Sequence, residues 1–482
     1  MDRINAWSTY DLDKQKLCMD FAEEYKEFLS NAKTERECID FFVNEAERNG
    51  YVQLSSAVRE NRKLKPGDKV YCVWMNKSMV LFEIGEEPIE NGLNILGAHI
   101  DSPRLDIKQN PLYEDSDLAY LDTHYYGGIK KYQYVTLPLA IHGVVVKKNG
   151  DTVILNIGED EDDPVFFISD LLIHLSQDQL KKPASTFIDG EALDLVIGNK
   201  PVVIDAETKA GKKDSKERDG MKDAKDSVKK AVLKILSDQY GIEEEDFESA
   251  ELEIVPAGKA RDAGFDRSMI LGYGQDDRVC AYPSFRAQIE TGSHSRTSCT
   301  LLVDKEEIGS VGATGIRSRF FENALAEVMN LCGQYSELSL RRALANSCML
   351  SSDVGAGFDP GYASGFDKKN AAYLGRGMVF NKFTGARGKS GSNDANAEYI
   401  AHLRDILDKE EICTQTAELG RVDLGGGGTI AFILALYGMN VIDCGVPVLS
   451  MHSPWEAVSK ADLYETYRGY KAFLKGASLR NI

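Results

Sequence analysis

LNILGAH, residues 93–99, is a short apolar run that ends on an imidazole. Three other runs share the plan: CTLLVDKEE over 299–307 delivers Glu306 and Glu307, CMLSSD over 348–353 delivers Asp353, and VPVLSMH over 446–452 delivers His452. Buried strands of a parallel sheet read as brief Val/Ile/Leu-rich runs because both of their faces are covered. α/β proteins place their chemistry just beyond the carboxyl ends of such strands. Metal-capable side chains thus fall where a site is expected. With the acidic pair Asp276-Asp277 of YGQDDR, the set can hold two divalent cations.

Outward from these runs, residues 15–31 place Leu17, Phe21, Tyr25 and Phe28 on one helical face. Thr34-x-x-Glu37 is a capping box that opens a second helix, which Gly50 closes. YCVWMNKSMVLFEIG reads as a hairpin turning at Asn76-Lys77. Helical stretches near 320–335, 394–408, 429–438 and 459–475 alternate with the later ligand-bearing strands, as expected of helices flanking a sheet. The reading is an α/β fold with a mixed, mostly parallel sheet. Residues 113–250 have a different texture: YQYVTLPLAIHGVVVKKNGDTVILNIG alternates like antiparallel β, with Asn149-Gly150 as a turn. We therefore expect catalytic segments 1–112 and 251–482 interrupted by a β-rich inserted domain over 113–250. Within the insert, 205–230 is nearly all charged and small residues, which cannot bury enough apolar surface to offset ordering, and it is expected as a surface loop.

The 482 residues exceed one ordinary domain and can bury a large core. A net charge of −19 repels phosphate backbones and anionic lipid, which argues against nucleic acid and membrane surfaces as partners. The nine cysteines are scattered singly and read as reduced, buried thiols. The start has no apolar signal region and no uncharged 18-residue apolar run follows, so the expected location is the cytoplasm.

In His99-Ile100-Asp101, alternate strand positions point the same way, so Asp101 can orient the imidazole by accepting its second N–H. Adjacent glutamates at a strand exit project differently; Glu307 can bind metal while Glu306 acts as general base on a bridging water. Asp276 and Asp277 cannot easily both ionise in a dry cleft without a cation, whereas a carboxylate between two metals is stabilised by both. Asp276 is the expected bridge. His124, His142, His294 and His402 have no supporting neighbours and read as structural. Glycines 425–428 lack the Gly-Lys-Ser/Thr ending of a phosphate loop. They are expected to let backbone approach a substrate and to cap a helix near Thr429. No GxSxG elbow is present.

Together, GAHIDSPRLDIK, YGQDDR, DKEEIGS, SSDVGAGFDP, GGGGTIAFILALYGMNVID and VPVLSMHSPWE resemble the aspartyl aminopeptidase family of dinuclear zinc exopeptidases. The resemblance spans most of the chain. It implies a zinc-exopeptidase-like bilobal subunit with an inserted dimerisation domain, dimers assembled into a dodecamer, and removal of one N-terminal residue from peptides. One metal would take His99, Asp276 and Asp353 and the other Asp276, Glu307 and His452, with Glu306 as base and Asp101 behind His99. ISDLLIHLSQ resembles the segment that lends a histidine to a neighbouring subunit's site, which nominates His174 as a donor to the substrate carbonyl. A cation that reads an acidic first residue in the family aligns loosely with Lys382, with Arg387 and Lys389 as rivals. Asp277 stands where many relatives have asparagine, and MVFNKFTGARGKSGSNDANAEY departs from eukaryotic members, which bears on specificity. A dimetal carboxypeptidase or N-acyl amino acid deacylase would use the same ligands on other substrates. Carboxylate and imidazole ligands accept Zn, Co or Mn, so the metal is read as zinc from the resemblance alone.

Overall fold

The computed structural model describes residues 4–202, 226–292 and 294–478. The chain divides into two compact units, one made of Met1–Ser102 with Lys259–Ile482 and the other of Pro103–Gly258.

The first unit is built on a nine-stranded sheet whose strands are β1 (Val52–Gln53), β2 (Lys69–Trp74), β3 (Ser78–Glu83), β4 (Asn94–His99), β5 (Ser298–Val303), β6 (Cys348–Ser352), β7 (Met378–Asn381), β8 (Thr414–Thr416) and β9 (Asn440–Gly445). Their spatial order is β1-β2-β3-β5-β4-β6-β9-β7-β8. The four central strands, β5, β4, β6 and β9, run parallel, while β3 and β7 run antiparallel to their inner neighbours. The sheet is therefore mixed, and its parallel centre carries the apolar runs read from sequence. Period-two alternation sorts each central strand between two cores. Leu96, Leu302, Leu350 and Ile442 face one cluster, whereas Ile95, Leu301, Met349 and Val441 face another.

Helices α1 (Leu12–Asn31), α2 (Glu35–Arg48), α3 (Gln275–Glu290) and the C-terminal Lys460–Gly476 contribute to the first cluster. Phe320–Leu331 and Glu337–Ala345 contribute to the second. The capping box is present: Thr34 Oγ1 accepts from Glu37 N at 3.2 Å, and Glu37 accepts from Thr34 N at 3.0 Å. On α1, Phe21, Tyr25 and Phe28 are buried, but Leu17 is 56% exposed and Cys18 takes its place. The hairpin β2–β3 turns through Met75 and Asn76, both with positive φ. A separate five-stranded sheet in this unit contains Met269–Gly272, Pro447–Leu449 and Glu456–Ser459.

The second unit is a six-stranded antiparallel sheet in the order Thr152–Ile157, Leu139–Val146, Ala250–Pro256, Arg104–Asp115, Leu118–Tyr126 and Leu195–Gly198. It has its own core, including Leu105, Leu139, Ile141 and Ile254. The bounds read from sequence, 113 and 250, fall within or at the start of strands of this sheet. Arg104–Asp115 pairs on both sides inside the unit, so the unit opens earlier than the change in composition. The charged stretch read over 205–230 lies for the most part outside the described residues; its last positions enter the helix Ser227–Ile235.

Candidate metal centre

The site forms where neighbouring chain segments end together. His99 closes β4, and Val303, the last residue of the adjacent parallel β5, lies opposite it. Beyond β5, Lys305 adopts left-handed backbone (φ 69°) and a single 3₁₀ turn, Glu306–Ile308, carries the glutamate pair. Asp353 follows the end of β6 directly. Asp276 sits in the first turn of α3, just after Gly274 at φ 73°, where an added Cβ would overlap Arg278 Nη1. His452 follows the short strand Pro447–Leu449 and also has positive φ.

Asp276 stands between the two imidazoles. Its Oδ1 lies 3.2 Å from His99 Nε2 and its Oδ2 lies 3.2 Å from His452 Nε2. Glu307 Oε1 is 3.4 Å from the same His452 nitrogen. His99 Nδ1 faces two acceptors, the Asp101 carbonyl at 3.0 Å and Asp101 Oδ1 at 3.3 Å, so it is the donating nitrogen and Nε2 is the one presented to Asp276. Asp101 also accepts the backbone N–H groups of Glu306 and Glu307, one on each carboxylate oxygen at 3.1 Å. One buried carboxylate thus fixes the imidazole on one strand and the glutamate pair beyond the next.

The electrostatics are those of an acidic cluster short of positive charge. Burial, with the neighbouring charges of Asp101 and Asp276, pushes Glu306 up to about 7 against the opposing pull of His99. Glu307 and Asp353 are driven well above the usual carboxylate range, by burial first and then by neighbouring acids. Burial raises Asp276 too, but the two histidines outweigh it and hold this carboxyl well below its ordinary value. His99 is held well above its ordinary value because Asp101 and Asp276 overcome its burial. Asp277 is fully buried, accepts His99 N at 3.3 Å, and is raised well above the normal range by burial.

Three groups of potential ligand atoms lie mutually within 4.8 Å: His99, Asp276 and Asp353; Asp276, Glu307 and His452; and His99, Glu306 and Glu307. The first two share Asp276. Asp276 Oδ1 and Glu307 Oε1 are buried and receive no hydrogen bond. Among the described residues, the ion pairs of Asp276 and Glu307 are with histidine, not with lysine or arginine. Buried carboxylates are ordinarily paired or bound to metal, and this donor set fits divalent cations.

Asp276, Glu306, Glu307, Asp353 and His452 line a cleft of about 480 Å³ together with Ser310, Arg317, Asn381, Thr384, Gly426–Thr429, Phe432 and Asp443. The glycine run therefore borders the cleft, although the helix beyond it, Ala431–Ala435, is only five residues long. Lys382 does not line the cleft; it is exposed and pairs with Asp394 at 2.8 Å, as Lys389 does at 3.1 Å. His174 belongs to the second unit, in an exposed 3₁₀ turn Ile173–Leu175. Of the histidines read as structural, His142 contacts Glu159 at 3.1 Å, His402 accepts from Ser478 N at 3.2 Å, and His294 is buried.

Sequence reasoning missed Glu456. It is 1% exposed, accepts His452 N at 2.7 Å and Asp276 N at 3.2 Å, and so holds the backbones of two candidate ligands. Its position four residues after His452 in HSPWE was the available signal. Asp443 was also missed; Thr429 donates to it at 2.6 Å, and burial pushes it up to about 7.

Comparison with known proteins gives the family of the chain. Residues 28–474 match the model of the aminopeptidase I zinc metalloprotease (M18) family. The chain is 59% identical over 470 residues to a probable M18 family aminopeptidase 1 of Clostridium acetobutylicum, covering 98% of this chain and 97% of that protein. It is similar to the crystal structure of an M18 aminopeptidase from Thermotoga maritima, with a TM-score of 0.90 and 42% identity, covering 99% of this chain and 100% of that one. It shares its fold, at 19% identity and a TM-score of 0.73, with the S. cerevisiae mApe1 dodecamer, over 94% of this chain and 96% of that chain. The chain belongs to the aminopeptidase I zinc metalloprotease (M18) family and is a metallo-aminopeptidase.

Proposed function

We propose that the chain removes the N-terminal residue of peptides at a two-metal centre. His99, Asp276 and Asp353 would hold one divalent ion, zinc by family, and Asp276, Glu307 and His452 the other. The observation that carries this reading is the pair of donor triads sharing Asp276. When bound, such ions supply Lewis acidity toward a water and toward the scissile carbonyl oxygen.

Glu306 takes the proton of the attacking water and returns it to the leaving amine nitrogen. Asp101 sets the position of Glu306 through its backbone N–H and fixes the His99 tautomer. The backbone beside Gly426–Thr429 lies open to the substrate main chain.

His174 is the candidate donor to the carbonyl of a substrate held by a neighbouring copy. In its favour, Leu171, Leu172, Ile173 and Leu175 are all exposed apolar residues that a second copy would cover. The 103–258 unit then acts as a dimerisation and substrate-lid domain, and the dimers assemble toward a dodecamer like that of the mApe1 relative. For an acidic first residue, Lys382 would have to leave Asp394 to reach substrate. A cytoplasmic location completes the reading; no described helix is long and apolar enough to cross a membrane.

The test is Glu306→Gln. Turnover of an aminoacyl substrate should fall by at least about a thousandfold, given that proton transfer alone contributes about 10²–10⁴-fold, while elemental analysis still finds two ions per chain. Retained turnover, or fewer than two ions in the wild-type protein, refutes the assignment.

A further inference from the structure

Glu306 and Glu307 lie on a segment that leaves β5 at Val303 and folds back on itself by Gly315. Its neck is closed at Asp304 and Thr314, which are 2% and 4% exposed. Thr314 Oγ1 donates to Asp304 Oδ2 at 2.5 Å, Asp304 N donates to the Thr314 carbonyl at 3.4 Å, and Asp304 bridges Gly315 in parallel register. Ser78 Oγ, at the start of β3, donates to the same Thr314 carbonyl and ties the neck to the sheet. Lys305 Nζ lies 3.3 Å from the carboxylate oxygen that accepts Thr314.

Between the two neck residues the backbone is tightly folded. Lys305, Gly309, Ser310 and Gly312 all have positive φ. Ser310 N donates to the Lys305 carbonyl at 2.6 Å, and an added Cβ on Gly315 would lie 2.5 Å from the Ser310 carbonyl oxygen. At the non-glycine positions such backbone is costly and persists only where its surroundings over-determine it. Two sets of contacts do so here: Asp101 holds the N–H groups of Glu306 and Glu307, and the neck holds the two ends of the segment.

An apolar pair could fill the neck without the cost of burying a carboxylate. It could not supply direction, because a hydrogen bond to a charged acceptor is short and depends on angle. Asp304 stands two residues before Glu306, so a change at the neck passes through Lys305 to the base. A misplacement of about 1 Å at a reacting group costs about a hundredfold in rate.

We infer that Asp304 and Thr314 are positioning residues for peptide-bond hydrolysis: their hydrogen bond closes the neck of the catalytic segment and fixes where the Glu306 carboxylate stands. The inference rests on Glu306 as the base.

Thr314→Val keeps the shape of the side chain and removes its hydroxyl, whereas Thr314→Ser keeps the hydroxyl. In the metal-loaded, full-length enzyme, Thr314→Val should lower kcat for an aminoacyl-p-nitroanilide by about tenfold or more, with KM and metal content near wild type. Thr314→Ser should recover most of that loss. The solvent deuterium isotope effect on kcat should rise in Thr314→Val, because a displaced Glu306 makes proton transfer limiting. Loss of folded or metal-loaded protein lowers the rate without changing this ratio. Hydrogen exchange of peptides spanning 304–315 reads the neck without turnover; it should be faster in Thr314→Val and return to normal in Thr314→Ser. Asp304→Asn should fall between the two, since its amide oxygen still accepts the hydroxyl but carries no charge, and it provides the same readouts where Thr314→Val does not fold.

An unchanged kcat in Thr314→Val overturns the inference, whether or not exchange rises. A lower kcat with exchange or isotope effect as in wild type also overturns it. If exchange rises and kcat falls in an enzyme whose Glu306→Gln form still turns over, the neck stands as a positioning device and Glu306 is not the base.

Discussion

Replacing Asp101 with asparagine leaves the shape of the side chain nearly intact and removes one of its two acceptors. In the native site, Oδ1 accepts Glu306 N and Oδ2 accepts Glu307 N, each at 3.1 Å, and Oδ1 also faces His99 Nδ1 at 3.3 Å. An amide can satisfy one of these N–H groups with its oxygen, but its NH₂ then opposes the other, donor against donor. A hydrogen bond to a charged group contributes about 1.5–3 kcal/mol, and a buried donor left unmatched costs about 1–3 kcal/mol. Partial relaxation of the 3₁₀ turn offsets some of this, leaving about 2–3 kcal/mol, or about 30- to 150-fold at 1.4 kcal/mol per decade. We expect the loss to appear in kcat at saturating metal, because the Glu306 carboxylate shifts, and in weaker metal retention, because His99 loses the anion that orients it. Chelator competition followed by elemental analysis reads the second effect and steady-state kinetics the first. Loss of a group that orients a metal ligand ordinarily costs about 10- to 100-fold in affinity or activity. An Asp101→Asn enzyme within about twofold of wild type in both readouts, well short of that range, would show that the carboxylate does not position the site.

Glu456→Gln removes one of the two acceptors that hold His452 N and Asp276 N, and should weaken metal retention by about tenfold in chelator titrations; metal held as tightly as in wild type would count against it. His294 is 6% exposed, neither ring nitrogen has a hydrogen-bond partner, and burial depresses it from 6.5 to about 4. The folded form therefore binds this proton more weakly than the unfolded form, so stability is intact above 6.5 and declines as pH falls toward 4. His294→Leu should flatten that decline by about 2 kcal/mol in denaturant titrations, and an acid limb unchanged by the substitution would disprove the assignment. Gly274→Ala places a methyl against Arg278 Nη1 at a backbone φ of 73°. It should lower the thermal midpoint and loosen metal binding together by displacing Asp276, whereas a normal midpoint would show that the turn relaxes freely.

Much of the site was readable from local pattern. Apolar runs such as 93–99 and 348–353 became parallel strands because alternate residues fill two cores, and a side chain just past such a strand emerges at the carboxyl end of the sheet, where α/β proteins place their chemistry. Thr34 and Glu37 formed their capping box because that interaction spans three residues and needs no tertiary partner. Leu17 misled because helical spacing alone does not say which of two adjacent residues faces the core, and Cys18 is the buried one. The insert opened at Pro103, well before the composition changed, because pairing of the strand Arg104–Asp115 with its neighbours decides membership, not residue type.

By itself, the sequence determined which side chains could bind metal and which chain segments would carry them, since strand ends, caps and helical periods are set within a few residues. Only the tertiary structure decided that Asp276 would stand between His99 and His452, that Asp101 and Glu456 would each hold two backbone N–H groups, and that Lys382 would pair with Asp394 while Arg317 lined the cleft. The longest of these hydrogen bonds in sequence joins residues 206 positions apart. Such distances are fixed by packing against a shared sheet and by the electrostatic cost of burying charge, and no local window of sequence contains either.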